Sequence, residues 1–502
     1  MRRTTTTVSE AELLALAEAF GIDVAESEVA DLLPRVNRRL DGLDEVYEIP
    51  LEDTEAGGER FWTEPTDDAD PYNALVTLCD VPPSDEGPLS GVEIGLKDNI
   101  AVAGVPMTCG STVMEGFAPT EDATVVRRLL AAGGTITTKT NLDEFAGGGR
   151  GLSATGQIHH PEDTSRFPAG SSGGSAAAVL ADQVDIALGT DTGGSVRAPA
   201  AVCGLVGVKA TYGLVPLSGV IENTYSLDHV GVISRTVSES AACLDALAGK
   251  DERDPASMAA AGNDDYTVGG YADAAADPLD VSELTVVALE EAFEVGETPV
   301  TDHVATVLDD LSDAGASVHE ASLPEFELVD TIKNCLSFPE LAQLWRDGGI
   351  PLRRGGGASR DQVAFARRGA AASGELNPFY RGRILAGAQL LTAHSGRHYS
   401  RALAVRSVLR SKAEDVMADH DADVIVTPTV PGVAPRCEDA DDPGFGITRN
   451  TRIANVTKLP AVSVPCGRVD SLPVGLQLLG GRFEERSLFR IAAGIESRLE
   501  NR

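Results

Sequence analysis

Lysine is scarce in this chain. Of 41 basic residues only 7 are lysine, leaving 34 arginines. Acidic residues number 77, which gives a formal net charge of −36. Nucleic-acid binding through a basic surface is excluded by that balance, because phosphate contacts need clustered Lys and Arg. The charge runs along the whole chain while 42% of the residues remain apolar. That describes a folded protein with an acidic coat, not an acidic tail. Halophilic adaptation accounts for it: in molar salt the Debye length falls to about 3 Å and self-repulsion is screened.

Paired cysteines are also missing. The seven cysteines are scattered and odd in number, and none stands in a CxxC pair. Neither a disulfide framework nor a cysteine zinc site is indicated. One HxxxH occurs, His394 to His398, but it lacks the glutamate that a zincin helix carries after its first histidine. No metal and no cofactor are expected. No apolar run approaches the ~20 residues of a membrane helix. The stretch from Met1 to Thr7 has no apolar segment of a secretory signal. The expectation is a cytoplasmic protein with no membrane partner.

A chain of 502 residues allows a large α/β domain and a satellite. Residues 1–50 carry two helical apolar patterns, Ala11-Leu13-Leu14-Leu16-Ala17-Phe20 and Val29-Leu32-Leu33-Val36-Leu40, separated by Gly21. Residues 51–72 are acidic and rich in Gly and Pro and read as a linker. Residues 73–502 form the main domain. Strand-length apolar runs stand at 92–97, 136–138, 184–188, 206–209, 284–289, 422–427, 461–465 and 474–480. A helix is expected over 124–132, with Asp122 as its N-cap. The stretch 340–398 reads as helix and loop. The expected fold is α/β, a large mixed sheet sandwiched by helices, with a small helical N-terminal domain.

What is present is concentrated between Gly170 and Thr211, GSSGGSAAAVLADQVDIALGTDTGGSVRAPAAVCGLVGVKAT. Ser171 and Ser195 sit on glycine-rich turns. A small-residue helix pattern and a short apolar strand lie between them. A Gly/Ser linker would not run directly into ordered apolar pattern, so these glycines read as turns where backbone meets ligand. Upstream, Val92 to Leu96 leads into Lys97. A lysine can lose its proton and act as a base, whereas arginine cannot. Lys139, after Thr135 to Thr138, is the competing lysine. A serine, a lysine and free backbone N–H groups are what a lysine-based hydrolase requires.

Other motifs fit less well. Gly170 to Gly174 matches G-x-S-x-G, but the residues before it contain Pro168 and make a poor strand. There is no S-x-x-K and no Walker A. Cys203 lies in an apolar stretch and reads as a small core residue.

These residues resemble the amidase signature family. The resemblance rests on residues 170–211, on GLKDNIAVAGVPMTCGS (Gly95–Ser111), on TKTNLDEFA (Thr138–Ala146), and on LPAVSVPCG and LPVGLQLLG near the C-terminus. It spans nearly all of 70–500 and is looser through 260–440. It implies an amidohydrolase with a Ser–cis-Ser–Lys triad. By position, Lys97 matches the base, Ser171 the cis-serine relay and Ser195 the nucleophile. The N–H groups of Thr192, Gly193, Gly194 and Ser195 match the oxyanion hole, and Ser172 and Thr190 match supporting hydroxyls. A cis peptide is implied at Gly170–Ser171. The implied partner is a small amide, hydrolysed to carboxylate and ammonia, with a homodimer left open.

The N-terminal helices look like those of free-standing nitrile-pathway amidases, acylamide amidohydrolases in activity, and this is the leading expectation. The alternative is the glutaminase component of a tRNA-dependent amidotransferase, which hands ammonia to a partner protein. Asn141 to Ala146 resembles that glutaminase, and Arg383 matches its carboxylate-binding arginine. The glutaminase also has an aspartate seven residues before the asparagine that matches Asn455; here the position is Thr448. A third alternative, an inactive binding protein on the same fold, is disfavoured by the presence of Lys97, Ser171 and Ser195.

Overall fold

The computed structural model describes residues 7–43, 45, 60–296, 298–348, 360–440 and 446–500. Two compact units divide the chain, Met1–Glu55 and Ala56–Arg502. The first holds helices Glu10–Ala19 and Glu26–Leu40. Ser9 caps the first of these: its backbone N–H donates to Glu12 Oε2 at 2.7 Å, and Glu12 N–H donates back to Ser9 Oγ at 3.3 Å. This reciprocal pair satisfies N–H groups that a helix start leaves open. Of the segment 51–72 read as a linker, 51–59 lie outside the described residues. Phe61–Thr63 is an edge strand instead, antiparallel to the strand Leu75–Val81.

The second unit is built on a mixed sheet whose order across, among the described residues, is Phe61–Thr63, Leu75–Val81, Thr135–Thr140, Glu93–Lys97, Ile186–Thr190, Val230–Ser234, Val206–Lys209, Ala461–Val469, Leu472–Leu479, Val424–Pro428, Thr285–Leu289 and Ser317–Ala321. Glu93–Lys97 runs parallel to both Thr135–Thr140 and Ile186–Thr190. Successive side chains of a strand face opposite sides, and both sides are covered here. Ile186 and Leu188 enter one core with Val125, Leu129, Leu244 and Ile491 from helices. Ala187 between them enters a second core with Ala176, Ala177, Ala198 and Ala201. Val424 and Val426 join the first core, and Ile425 joins a third with Leu336 and Leu409. The architecture is α/β, a large mixed sheet surrounded by helices. Among the described residues, no helix is long and apolar enough to cross a membrane.

Helix Thr124–Ala131 starts after Ala123, which makes no side-chain cap bond. Asp122, expected as the cap, is taken by the Arg60 guanidinium and by Ala103 N–H at 2.8 Å. A bidentate arginine outcompetes a neutral cap bond for that carboxylate. The strand Val230–Ser234 lies inside the sheet, although its run was not among the expected strands. Within 340–398 the described residues form helices, including Val329–Arg346, Arg360–Ala371 and Pro378–Thr392.

Candidate active site

Parallel strands Glu93–Lys97 and Ile186–Thr190 end at the same edge of the sheet. Ligands of open α/β sheets bind at such carboxyl ends. Lys97 closes the first strand and is fully buried. Its ammonium donates to Ser171 Oγ at 2.8 Å, Ser172 Oγ at 2.9 Å and the Thr190 carbonyl at 3.2 Å. All three of its donors are used. Burial pulls the Lys97 pKa down to about 7, against the opposing pull of the Asp143, Asp191 and Asp228 carboxylates. Desolvation disfavours the charged amine, so Lys97 sits where it exchanges a proton near neutral pH.

The peptide Gly170–Ser171 is cis. Its loop is tied to the nucleophile turn by Ser172 N–H donating to the Ser195 carbonyl at 3.1 Å. The helix Gly173–Leu180 follows at once, and its glycine and alanine residues are fully buried. Ser172 and Thr190 close a small ring beside Lys97: Ser172 Oγ donates to Thr190 O at 3.2 Å. Asn99 Nδ2 donates to Thr190 Oγ1 at 3.2 Å.

Lys139, the competing lysine, is fully buried too, but its ammonium pairs with Asp98 Oδ1 at 2.8 Å. Asp98 Oδ2 holds the Thr108 hydroxyl and N–H, each at 2.7 Å. Lys139 is therefore committed to an internal ion pair, whereas Lys97 faces hydroxyls. The third buried lysine, Lys209, donates to the Ala210 and Leu459 carbonyls at 2.9 and 2.6 Å.

Ser195 stands on the turn that follows Thr190. The turn is braced from beneath by Asp191, which accepts Gly194 N–H at 2.7 Å and Val196 N–H at 3.2 Å. Gly194 was expected to offer its N–H to an oxyanion; that donor is already spent on Asp191. The N–H groups of Thr192, Gly193 and Ser195 have no acceptor among the described residues. Gly194 has φ +125, and a Cβ there would collide with Thr451 Oγ1, so only glycine fits. The Ser195 hydroxyl likewise has no protein partner among the described residues.

Beneath the turn lies a network that sequence reasoning did not find. Arg197, fully buried, grips Asp191 with two bonds, 3.1 and 3.0 Å, and donates to Gln477 Oε1 and Asn455 Oδ1, each at 2.7 Å. Asn455 Nδ2 donates to Asp191 Oδ1 at 2.8 Å. Burial alone would raise the Asp191 pKa, but Arg197 and these hydrogen bonds hold it well below the usual carboxylate range. Thr192 Oγ1 donates to Asp228 Oδ1 at 2.6 Å. Asp143, beside the cis loop, accepts Arg150 N–H at 2.9 Å. Asp191 and Arg197 both lie inside the stretch 170–211. An arginine within the small apolar run VRAPAAV was the available signal.

Three basic side chains stand over the opposite wall. Arg383, on Pro378–Thr392, donates to Ser337 Oγ at 3.1 Å and Asn223 Oδ1 at 3.3 Å. Arg452 begins helix Arg452–Thr457 and pairs with Asp330. Lys333 comes from Val329–Arg346. Thr448 is near by through Thr451, whose hydroxyl lies 2.8 Å from both the Gly193 and Thr448 carbonyls.

Among known proteins, the Amidase family matches residues 52–489. The glutamyl-tRNA(Gln) amidotransferase protein of Halobacterium salinarum that forms the first of that enzyme's subunits is 40% identical over 433 residues, covering 84% of this chain and 99% of that protein. The crystal structure of its counterpart from Thermotoga maritima is 32% identical, with a TM-score of 0.69, covering 86% of this chain and 88% of that one. A crystal structure described as an amidase is 26% identical, with a TM-score of 0.67, and covers 99% of this chain and 97% of that one. The leading expectation, a relative of free-standing nitrile-pathway amidases, is thereby revised: the curated relatives found are amidotransferase subunits. With the site and its relatives in agreement on the chemistry, the chain belongs to the amidase family of amidohydrolases.

Proposed function

We propose that the chain hydrolyses a primary amide through a Ser195 acyl-enzyme, acting as the glutaminase component of an amidotransferase. The observation that carries the chemistry is the buried Lys97 ammonium, 2.8 Å from Ser171 Oγ, beside a serine turn with unspent N–H donors. Neutral Lys97 accepts the Ser171 proton as Ser171 accepts that of Ser195. Ser195 Oγ bonds to the amide carbon, and the oxyanion takes the N–H groups of Thr192, Gly193 and Ser195. The proton returns through the same pair to the leaving nitrogen, which departs as ammonia. Water, deprotonated by the same relay, then cleaves the ester and frees the acid. Every step in this scheme uses side chains and backbone groups of the chain itself.

The amidotransferase reading draws on the 40% identity to the Halobacterium salinarum protein and on Arg383, which has no carboxylate partner among the described residues. A second reading, a free-standing amidase, is favoured by two observations. Thr448 stands where the amidotransferase glutaminase has an aspartate, and the unit Met1–Glu55 precedes the family match at residue 52. The test is ammonia release by the purified chain alone on a panel of amides that includes glutamine. Glutamine cleavage that rises when companion amidotransferase proteins are added supports the first reading. Ready cleavage of simple amides without glutaminase activity replaces it with the second, and no ammonia from any amide removes both.

The acidic coat carries its own prediction. A net charge of −36 repels itself unless salt screens it. Between about 3 M and about 0.1 M KCl, the melting temperature is expected to fall by more than ~10 °C, with activity lost in parallel. Circular dichroism at both salts checks this; equal stability in the two buffers refutes it.

A further inference from the structure

The wall facing the oxyanion turn holds a cation with no assigned task. Lys333 is only partly buried, and its Cε lies 3.6 Å from where a Gly193 Cβ would stand, with Arg452 Cγ at 3.5 Å from the same point. Among the described residues its ammonium makes no hydrogen bond and no ion pair. The acids around it are already engaged. Asp330 is paired with Arg452. Asp228 accepts the Thr192 hydroxyl at 2.6 Å and the Asn223 and Thr224 N–H groups at 2.8 Å each. Burial, then Arg383 and Arg452, pull the Lys333 pKa well below its ordinary value. An unpaired ammonium crowded by two guanidinium groups is costly unless an anion arrives to share it.

We propose that Lys333 selects the substrate: together with Arg383 it receives a carboxylate carried by the acyl part of the amide. The inference rests on the amidohydrolase reading of Ser195 and adds the substrate class, a primary amide whose acyl chain ends in an anion. Lysine suits the role because its ammonium is a compact charge on a flexible stem that can follow the acyl chain. A chain that has replaced nearly all its lysines by arginine keeps one here. A site built around unmet cations rejects a neutral isostere, because the cations then stay unpaired.

The experiment compares two amides of equal length in one salt buffer, glutaramate (the monoamide of glutarate) and neutral pentanamide. The wild-type chain is expected to favour glutaramate in kcat/KM by about 10²-fold. In Lys333→Met that ratio collapses, chiefly through KM for glutaramate, and Lys333→Arg restores most of it. A wild-type chain without preference, or a Lys333→Met loss equal on both amides, overturns the proposal and makes Lys333 a structural or oxyanion-directed group. Calorimetric binding of glutaramate to Ser195→Ala separates this from the hydrolase reading. Binding weakened about 10²-fold by Lys333→Met supports the role even if neither amide is cleaved, in which case the hydrolase reading alone fails. Binding unaffected by Lys333→Met sinks the role whatever the turnover.

Discussion

Ser195→Ala is expected to lower amide hydrolysis by at least about 10⁴-fold while leaving the fold intact. Two features of the structure separate those outcomes. The Ser195 hydroxyl has no protein partner among the described residues, so removing it orphans no buried donor or acceptor. The turn itself is held by the Asp191 carboxylate through Gly194 and Val196 N–H, and Asp191 is held by Arg197; neither depends on the serine side chain. The melting temperature should therefore move by less than ~2 °C. Ammonia release under single-turnover conditions, read beside the melting curve, is the measurement. Turnover within tenfold of the parent would remove Ser195 from the reaction. Cooperative unfolding at a much lower temperature would make the loss structural.

The sequence showed the site more readily than the frame around it. Lys97, Ser171, Ser172, Thr190 and Ser195 lie in two short segments with glycine turns and short strands, and such local patterns survive without tertiary information. Asp122 shows where local reasoning fails: an acid before a helix is an ordinary N-cap, but Arg60, 62 residues away, takes both its oxygens. Gly194 shows the same inside the site. Its glycine turn was legible, but not that Asp191 takes its N–H. The strand Val230–Ser234 pairs antiparallel with Ile186–Thr190 and Val206–Lys209. Its five residues are buried on both faces, so it shows no alternation to mark it. Asp228, Lys333 and Arg383 meet only through folding, from three separate segments of the chain. No spacing rule could have joined them. The lysine count was the most informative global signal: Lys97, Lys139 and Lys209, three of only seven lysines, are fully buried, each facing acceptors that a larger planar guanidinium would meet differently.

Lys97→Arg should be nearly as damaging as Lys97→Ala, each costing more than ~10³-fold in kcat/KM on a simple amide. A structural cation would tolerate arginine in part, since the charge and much of the reach survive. A base would not, because guanidinium keeps its proton at any working pH. The surroundings of Lys97 favour the second case. Its ammonium meets two serine hydroxyls and a carbonyl, with no carboxylate in hydrogen-bonding contact. Burial brings its pKa to about 7. The sign follows: the folded-state value is depressed, so the neutral amine predominates above about 7 and is lost as pH falls through it. Wild-type kcat/KM should accordingly drop about tenfold per pH unit below 7 and level off above it. Lys139→Arg supplies the contrast. Lys139 holds Asp98 at 2.8 Å, a pairing that asks only for positive charge, so this variant should keep activity within ~10-fold and the same pH limb. Activity surviving in Lys97→Arg but lost in Lys139→Arg would place the base on the wrong lysine. A flat profile from pH 5 to 9 would remove Lys97 as the titrating group even if both Lys97 variants were dead.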